Sequence, residues 1–139
     1  MIIGLTTGVF DLFHKGHETL LKNCERECDF LLVAVANDWL TKIQKGDERP
    51  KEDETKRIFN VCNFLNEENI NGEAFLTEHL NFNYYKEIVD IMLIGEEQTN
   101  ILWTGNYKKI PRTPDISTTK LISEKNIGLK QDINPVDWR

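Results

Sequence analysis

The sequence has few cysteines and prolines and no long apolar run, and each shortage excludes a class of protein. No apolar stretch approaches the ~20 residues that a membrane-spanning helix needs, so we expect no membrane partner. The three cysteines, Cys24, Cys28 and Cys62, show neither metal-binding nor redox spacing, and we expect them to be reduced residues of the core. The chain also has no internal repeat, no low-complexity tract and no linker rich in proline and glycine. These shortages favour a globular domain.

Length and charge narrow this expectation. The 139 residues suffice for one compact domain with a core and are too few for two ordinary ones. Hydrophobic residues make up 40% and charged residues 29%, which is the balance of a globular protein. The net charge of −6 repels polyanions, so nucleic acid is not an expected partner and any phosphate site must be local. The first residues are apolar and lack a basic leader, which predicts a strand rather than a signal peptide and hence a cytoplasmic setting.

Two apolar runs and the segment between them predict a β-α-β unit. Residues 2–7 form an apolar run, and residues 30–36 form a longer one without polar alternation, as strands buried on both faces do. Between these runs, the segment from His17 to Cys28 carries Leu20, Leu21 and Cys24 at helical spacing.

The alternation of helices and strands continues along the chain. Further helices are expected at 52–66, 82–89 and 116–125, and short strands at 73–77 and 91–94. The pattern predicts an α/β fold, a single Rossmann-like domain with a parallel sheet of about five strands and helices on both faces. We expect this domain to cover residues 1–125, followed by a polar tail at 126–139, and we expect the loop at 45–51 to be flexible.

The junction between the first strand and the first helix carries two histidines in a position suited to anion binding. In an open α/β sheet, ligands bind at the carboxyl ends of strands, beside helix N-termini whose N–H groups attract anions. His14 and His17 are three residues apart, close enough for both rings to face one ligand, and Gly16 would let the backbone approach it. The alternative is that they are surface histidines that cap the helix.

The full string around these histidines is more specific. Residues 8–17, Gly-Val-Phe-Asp-Leu-Phe-His-Lys-Gly-His, resemble the G-x-F-D-x-x-H-x-G-H signature of the cytidylyltransferase-like nucleotidyltransferases. The resemblance implies that His14 and His17 are catalytic, because in that family both contact the nucleotide phosphates and stabilise charge at the α-phosphorus. It also implies a nucleotide-binding loop made by Thr7, Gly8, Val9 and Phe10.

A second segment, residues 111–120, resembles the R-T-x-G-I-S-T-T-K segment of the same family. Hydroxyls, a guanidinium and backbone N–H groups at a helix start all donate to phosphate oxygens, although Ser and Thr at such a place are also ordinary caps. The resemblance implies a catalytic role for Arg112 and nucleotide binding by Thr113, Ser117 and Thr118. Asp115 stands where the family has glycine, which alters the shape and charge of this loop.

The middle of the chain resembles a different branch of the superfamily. Residues 45–50, Lys-Gly-Asp-Glu-Arg-Pro, followed by Arg57, resemble the K-G-x-x-R-P...R arrangement of sugar-phosphate adenylyltransferases. The resemblance implies that Lys45 is catalytic, on a mobile loop over the phosphates, and that Arg57 contacts the nucleotide; the alternative for Lys45 is a solvated loop. Residues 95–98, Gly-Glu-Glu-Gln, keep the glycine and acidity of the Gly-Asp-Asp-Trp motif of glycerol-phosphate cytidylyltransferases but lack its tryptophan.

Two aspartates are candidate ligands for Mg²⁺, the expected counter-ion of the nucleotide. Asp11 either lies close to the metal and triphosphate or holds its loop by accepting backbone N–H bonds. Asp38 follows the second strand, at the same edge of the sheet, and is either near the metal or an ordinary turn residue.

These resemblances imply an enzyme that transfers CMP from CTP to a phosphorylated small molecule, similar to glycerol 3-phosphate, and releases pyrophosphate. Residues 112–120 favour CTP, whereas residues 45–50 favour ATP with a sugar phosphate. A nucleotide-binding module without turnover is a third possibility. Small members of this family commonly form homodimers, which we expect here. No G-x-G-x-x-G follows the first strand, which argues against a dinucleotide site.

Overall fold

Five parallel strands form one sheet in the computed structural model of the protein, which describes residues 1–96, 98 and 100–111. The strands are β1 Ile3–Gly8, β2 Phe30–Ala36, β3 Gly72–Thr77, β4 Ile91–Gly95 and β5 Tyr107–Ile110. Their spatial order is β3-β2-β1-β4-β5, and every neighbouring pair is parallel. The predicted α/β class and the sheet of about five parallel strands are confirmed.

Three α-helices connect the first strands, namely α1 Lys15–Glu25, α2 Asp38–Lys45 and α3 Glu54–Glu67. Helix α1 ends three residues before the predicted limit at Cys28, because the N–H of Glu27 turns back to the carbonyl of Cys24. Helix α2 is not among the predicted helices, although Asn37 caps it in an ordinary way by accepting the N–H of Leu40 at 2.8 Å.

The helix predicted at 82–89 is wrong in extent. Only Phe82–Tyr85 is helical, as a single 3₁₀ turn. The N–H groups of Lys86 and Ile88 donate to carbonyls three residues earlier, and residues 86–88 continue as turns rather than as an α-helix.

Apolar residues of the strands alternate between two cores, one on each face of the sheet. On one face, α1 and α3 pack against β2 through Leu31, Val33 and Val35. On the other face, Ala34 and Ala36 pack with α2 and the 3₁₀ turn. Both faces of β2 are therefore covered, which explains why its sequence shows no polar alternation.

Within the described part of the chain, no helix is long and apolar enough to cross a membrane. The predicted helix at 116–125 and the predicted boundary between residues 125 and 126 lie outside the described residues.

Candidate active site

The strand order reverses at β1, which has β2 on one side and β4 on the other. Successive connections lead from β1 outward to β2 and β3, and the chain then crosses back to β4. In such sheets the ligand crevice lies at the carboxyl ends of the strands at this reversal. The histidine-bearing junction, residues 8–17, leaves the carboxyl end of β1 and therefore stands at the crevice.

His14 and His17 form a reciprocal cap at the start of α1. His14 is the N-cap, and its Nδ1 accepts the N–H of Gly16 at 3.0 Å. The Nδ1 of His17, at the third helical position, accepts the N–H of His14 at 3.2 Å. This is the capping-box geometry, usually made by Ser or Thr with Glu, built here from two imidazoles. A capping box joins the N-cap residue to the third helical residue, which is why the two histidines are three residues apart.

The cap fixes which ring nitrogens are donors. Because both Nδ1 atoms accept backbone N–H groups, the proton of each neutral ring is on Nε2. The two rings stack with centroids 3.8 Å apart and planes 25° from parallel. His17 is fully buried and also stacks on Phe13, with centroids 5.5 Å apart. Two Nε2–H donors are thus held in one orientation beside the N-terminus of α1.

The junction loop is held in an unfavourable backbone conformation by its surroundings. Phe10 and Leu12 have φ angles of 56° and 51°, in the left-handed region that non-glycine residues rarely adopt. Phe10 is fully buried, and the N–H of Leu12 donates to the Glu52 carboxylate at 3.0 Å. Such conformations persist where packing over-determines them, and they cluster at functional sites.

Asp11 ties this loop to the segment before α3. Its carboxylate is fully buried and accepts the N–H groups of Lys51 and Glu52 at 2.7 and 2.9 Å. The guanidinium of Arg49 lies 3.5 Å from the same carboxylate. These contacts favour the loop-holding alternative for Asp11 over metal binding.

Arg57 joins four segments around the crevice, and its side chain is fully buried. Its Nη1 donates to the carbonyls of Val9 and Ala36 at 2.8 and 2.6 Å, which links the ends of β1 and β2. Its Nε donates to the carbonyl of Glu52, and its Nη2 donates to Asp38 at 2.7 Å. The geometry gives Arg57 a structural role, and its contact with a nucleotide stays a prediction.

The described residues offer little for Mg²⁺ on their own. They contain no group of three His, Cys, Asp or Glu side chains that could hold a metal ion. Both oxygens of Asp11 are engaged by N–H groups. One oxygen of Asp38 pairs with Arg57, and its side chain is one-third exposed, so Asp38 fits the metal better than Asp11. Magnesium commonly takes one or two carboxylates and completes its shell with substrate phosphates and water.

The residues expected to line the nucleotide are buried in the described structure. Thr7 is fully buried, and its hydroxyl donates to the Ala34 carbonyl at 2.8 Å. Gly8, Val9 and Phe10 are buried as well. Any contact between Thr7 and a nucleotide through that hydroxyl would compete with an existing bond.

The prediction that Lys45 lies in a loop is wrong, because Lys45 is the last residue of α2. Its side chain is half-buried, and its catalytic role stays a prediction. The helix ends because Gly46 adopts a φ of 98° and donates its N–H to the carbonyl of Lys42. The remainder of the 45–51 segment is anchored to the junction loop through Asp11.

Gln98, for which the sequence predicts no role, lies between the ends of β1 and β4 at the crevice. Its amide is buried and bridges two strands at the crevice, accepting the N–H of Gly95 and donating to the carbonyl of Thr7, both at 2.9 Å. It stands where the resemblance has tryptophan. The signal that could have found it is a polar side chain three residues after the carboxyl end of β4.

Four predicted site residues, Arg112, Thr113, Ser117 and Thr118, lie outside the described residues, as does Asp115.

Comparison with known proteins identifies a family over most of the chain and curated relatives over part of it. The profile of a family described as Cytidylyltransferase-like matches residues 5–124. The bifunctional protein HldE of Rhodospirillum rubrum is 47% identical over 55 residues, which are 40% of this chain and 11% of that protein. HldE of Shigella sonnei is 50% identical over 46 residues, 33% of this chain and 10% of that protein. The matched segments thus span about a tenth of these curated relatives.

Two solved structures share the fold. A lipopolysaccharide core biosynthesis protein from Thermoplasma volcanium superposes with a TM-score of 0.63 at 25% identity, covering 81% of this chain and 98% of the other. A universal stress protein from Archaeoglobus fulgidus superposes with a TM-score of 0.51 at 13% identity, covering 81% and 94%. The second likeness concerns the fold alone.

Proposed function

Because the chain belongs to the cytidylyltransferase-like family, we propose that it transfers a nucleoside monophosphate from a nucleoside triphosphate to a phosphorylated small molecule and releases pyrophosphate. The observation that carries this proposal is the reciprocal cap of His14 and His17. It holds two imidazoles, each with its proton on Nε2, beside a helix N-terminus at the crevice.

The proposed reaction needs no covalent intermediate on the protein. A phosphate monoester has its second pKa near 6, so its oxygen is largely ionised at pH 7 and can attack without a general base. That oxygen forms a bond to the α-phosphorus while the bond from this phosphorus to the bridging oxygen breaks, and pyrophosphate departs with the electron pair. His14 and His17 would donate to the oxygens on which charge develops.

The donors must be placed before the reaction, and the described contacts support such placement. Asp11, Glu52 and Arg57 hold the junction loop against α3, while the cap holds both rings. The acceptor phosphate and the nucleotide would therefore meet donors that need little reorganisation. We propose that Arg112, Thr113, Ser117 and Thr118 supply the remaining phosphate contacts, with Lys45.

We propose a phosphorylated sugar with ATP as the first substrate pair to test, and CTP with a phosphorylated alcohol as the second. The segment that resembles sugar-phosphate adenylyltransferases, residues 45–50, is integrated into the site through Arg49 and Asp11. The structural relative from Thermoplasma volcanium carries a name from lipopolysaccharide core biosynthesis, which favours a sugar acceptor. The segment that favours CTP lies outside the described residues, and CTP use stays a prediction.

Magnesium enters this proposal as part of the nucleotide substrate. Bound with the triphosphate, it would neutralise charge on the departing pyrophosphate. Among the described carboxylates, Asp38 is the better candidate for a ligand of this ion than Asp11. A homodimer and a cytoplasmic setting also stay predictions.

The test is pyrophosphate release by the purified protein with Mg²⁺. CTP, ATP, UTP and GTP are each crossed with a panel of phosphorylated sugars and alcohols. Release with ATP and one sugar phosphate supports the first pair, and release with CTP and a phospho-alcohol supports the second. Nucleotide binding without release across the panel would indicate a binding module and contradict the proposal.

Two substitutions separate the capping of α1 from the chemistry. His14→Ser keeps a side chain that caps a helix, and His17→Glu keeps one that completes a capping box, but neither replacement has a side-chain N–H donor. We expect each variant to fold and to lose ~10²–10³ in kcat, the usual cost of removing one preorganised donor. His79→Ser, at an exposed histidine, is the matched control. Full activity in either capping variant would remove that histidine from the chemistry.

A further inference from the structure

Arg49 is a buried cation with donors that the described structure does not use. Its side chain is 6% exposed. Its Nε and Nη2 groups have no hydrogen-bond partner among the described residues. Its only ion pair there is with Asp11, and the 3.5 Å separation is longer than the 2.7–3.2 Å of an N–H···O hydrogen bond.

A buried guanidinium in this state calls for an explanation. Buried polar groups are nearly always hydrogen-bonded, and each exception points to a water, an ion or a functional role. The Asp11 carboxylate already accepts the N–H groups of Lys51 and Glu52. It balances the charge of Arg49 without accepting a hydrogen bond from the Nε or Nη2 group of that residue. An arginine fork suits phosphate, whose oxygens can accept two parallel N–H bonds.

The position of Arg49 indicates which ligand would supply those oxygens. Asp11 lies in the junction loop, three residues before His14, and the fork is therefore held against the loop that carries the paired histidines. The proposed reaction brings a triphosphate and a phosphate monoester to the same place. We propose that Arg49 is a phosphate-binding residue of this site, with Asp11 and its loop contacts holding the guanidinium ready for the anion. The identity of the reacting anion rests on the proposed function, but phosphate binding by Arg49 does not.

The first test is isothermal titration calorimetry on the full chain, with pyrophosphate, ATP, CTP, glycerol 3-phosphate and glucose 1-phosphate as separate probes. Arg49→Lys keeps the positive charge beside Asp11 and removes the planar fork. We expect this variant to bind at least one probe 10-fold or more weakly, roughly the share of affinity that one charge-assisted bidentate contact provides. Arg26→Lys makes the same change at an exposed arginine and should bind every probe as the wild type does.

The pattern across probes identifies the source of the phosphate. Weaker binding of ATP, CTP or pyrophosphate assigns Arg49 to the nucleotide, whereas weaker binding of glycerol 3-phosphate or glucose 1-phosphate assigns it to the acceptor. Unchanged affinity for all probes in a folded Arg49→Lys variant would mean that Arg49 only balances the charge of Asp11, and it would overturn the proposal. A wild-type protein that binds none of the probes would overturn it as well.

A second measurement uses the unmodified protein, in case Arg49→Lys does not fold. The chain has five arginines, so its ¹⁵N spectrum of side-chain Nε–H groups is simple enough to assign. The Arg49 signal should shift as a bound probe approaches saturation, and a signal that stays in place would contradict the proposal. Neither experiment requires turnover, so a protein that releases no pyrophosphate but binds phosphate through Arg49 would refute the proposed reaction and leave this inference intact.

Discussion

Replacing Arg57 tests whether its hydrogen bonds hold the ends of β1 and β2 together at the crevice. The substitution Arg57→Met removes the guanidinium and keeps much of the side-chain volume, so packing changes little while every hydrogen bond of the group is lost. Arg57 is fully buried and donates to three carbonyls and to Asp38. The change leaves those acceptors behind in the folded chain.

The loss of folding stability depends on which of these acceptors remain inaccessible to water. Val9 and Ala36 are each only 1% exposed, so their carbonyls would lose a partner without gaining water. An unsatisfied buried acceptor costs about 1–3 kcal/mol. Asp38 is one-third exposed and can be hydrated, so we assign its loss little weight. We expect a destabilisation of about 3–5 kcal/mol, a large part of the ~5–15 kcal/mol that stabilises a typical domain.

Urea denaturation followed by circular dichroism measures this cost. We expect a lower midpoint with an unchanged slope, and a fall in Tm of roughly 10–20 °C. Arg57→Lys keeps the charge and should lose less, while Arg26→Met at the surface should change stability by no more than about 0.5 kcal/mol. A loss below about 1 kcal/mol in Arg57→Met would refute the idea that this arginine holds the strand ends together.

Four further predictions concern individual residues. Gly72→Ala would place a Cβ 2.2 Å from the carbonyl oxygen of Leu31 and should cost about 1–3 kcal/mol or more in a urea titration. Gly46→Ala, which meets no atom within 4 Å but keeps a φ of 98°, should cost only about 1 kcal/mol. Burial raises the pKa of the Cys24 thiol to about 12, so the stability it contributes is complete below pH 9 and falls as the pH rises toward 12; Cys24→Ala should show a shallower decline in urea titrations across that range. Gln98→Leu should lose about 1–3 kcal/mol, because the Gly95 N–H and the Thr7 carbonyl lose their partner; an unchanged midpoint would contradict the bridge.

Four of the five described strands were predictable because their apolar runs report burial directly, whereas β5, Tyr-Lys-Lys-Ile, is mostly exposed and was not predicted. Residues 30–36 match β2 at both ends, and β1, β3 and β4 begin or end within one residue of the predicted limits. A strand covered on both faces can only be apolar, so a single line of sequence carries the signal. Helix α2 was not predicted because it is short and because two of its apolar residues, Trp39 and Ile43, are exposed and do not belong to a buried helical face.

The position of the histidine pair at the first strand–helix junction was predictable, but its hydrogen bonds were not. The sequence set two readings against each other, surface caps or phosphate ligands. The structure shows a cap, yet His17 is buried and both rings are oriented by it. Capping and phosphate binding use different nitrogens of the same ring, so the two readings do not compete. Only the hydrogen bonds to Nδ1 reveal this.

The net charge of −6 argued for a local phosphate site, and the contacts around the junction explain how such a site can exist in an acidic chain. Asp11 and Asp38 each lie against an arginine, and Glu52 and Glu54 accept the N–H groups of Leu12 and Asp38. Each of these four carboxylates is therefore offset by a donor from the protein itself, while the N-terminus of α1 and the histidine Nε2–H groups add positive potential there. Charge composition averages over the surface and cannot report such pairing, because the partners are 16 to 41 residues apart along the chain. An acidic protein can thus attract a polyanion wherever its own carboxylates are already satisfied.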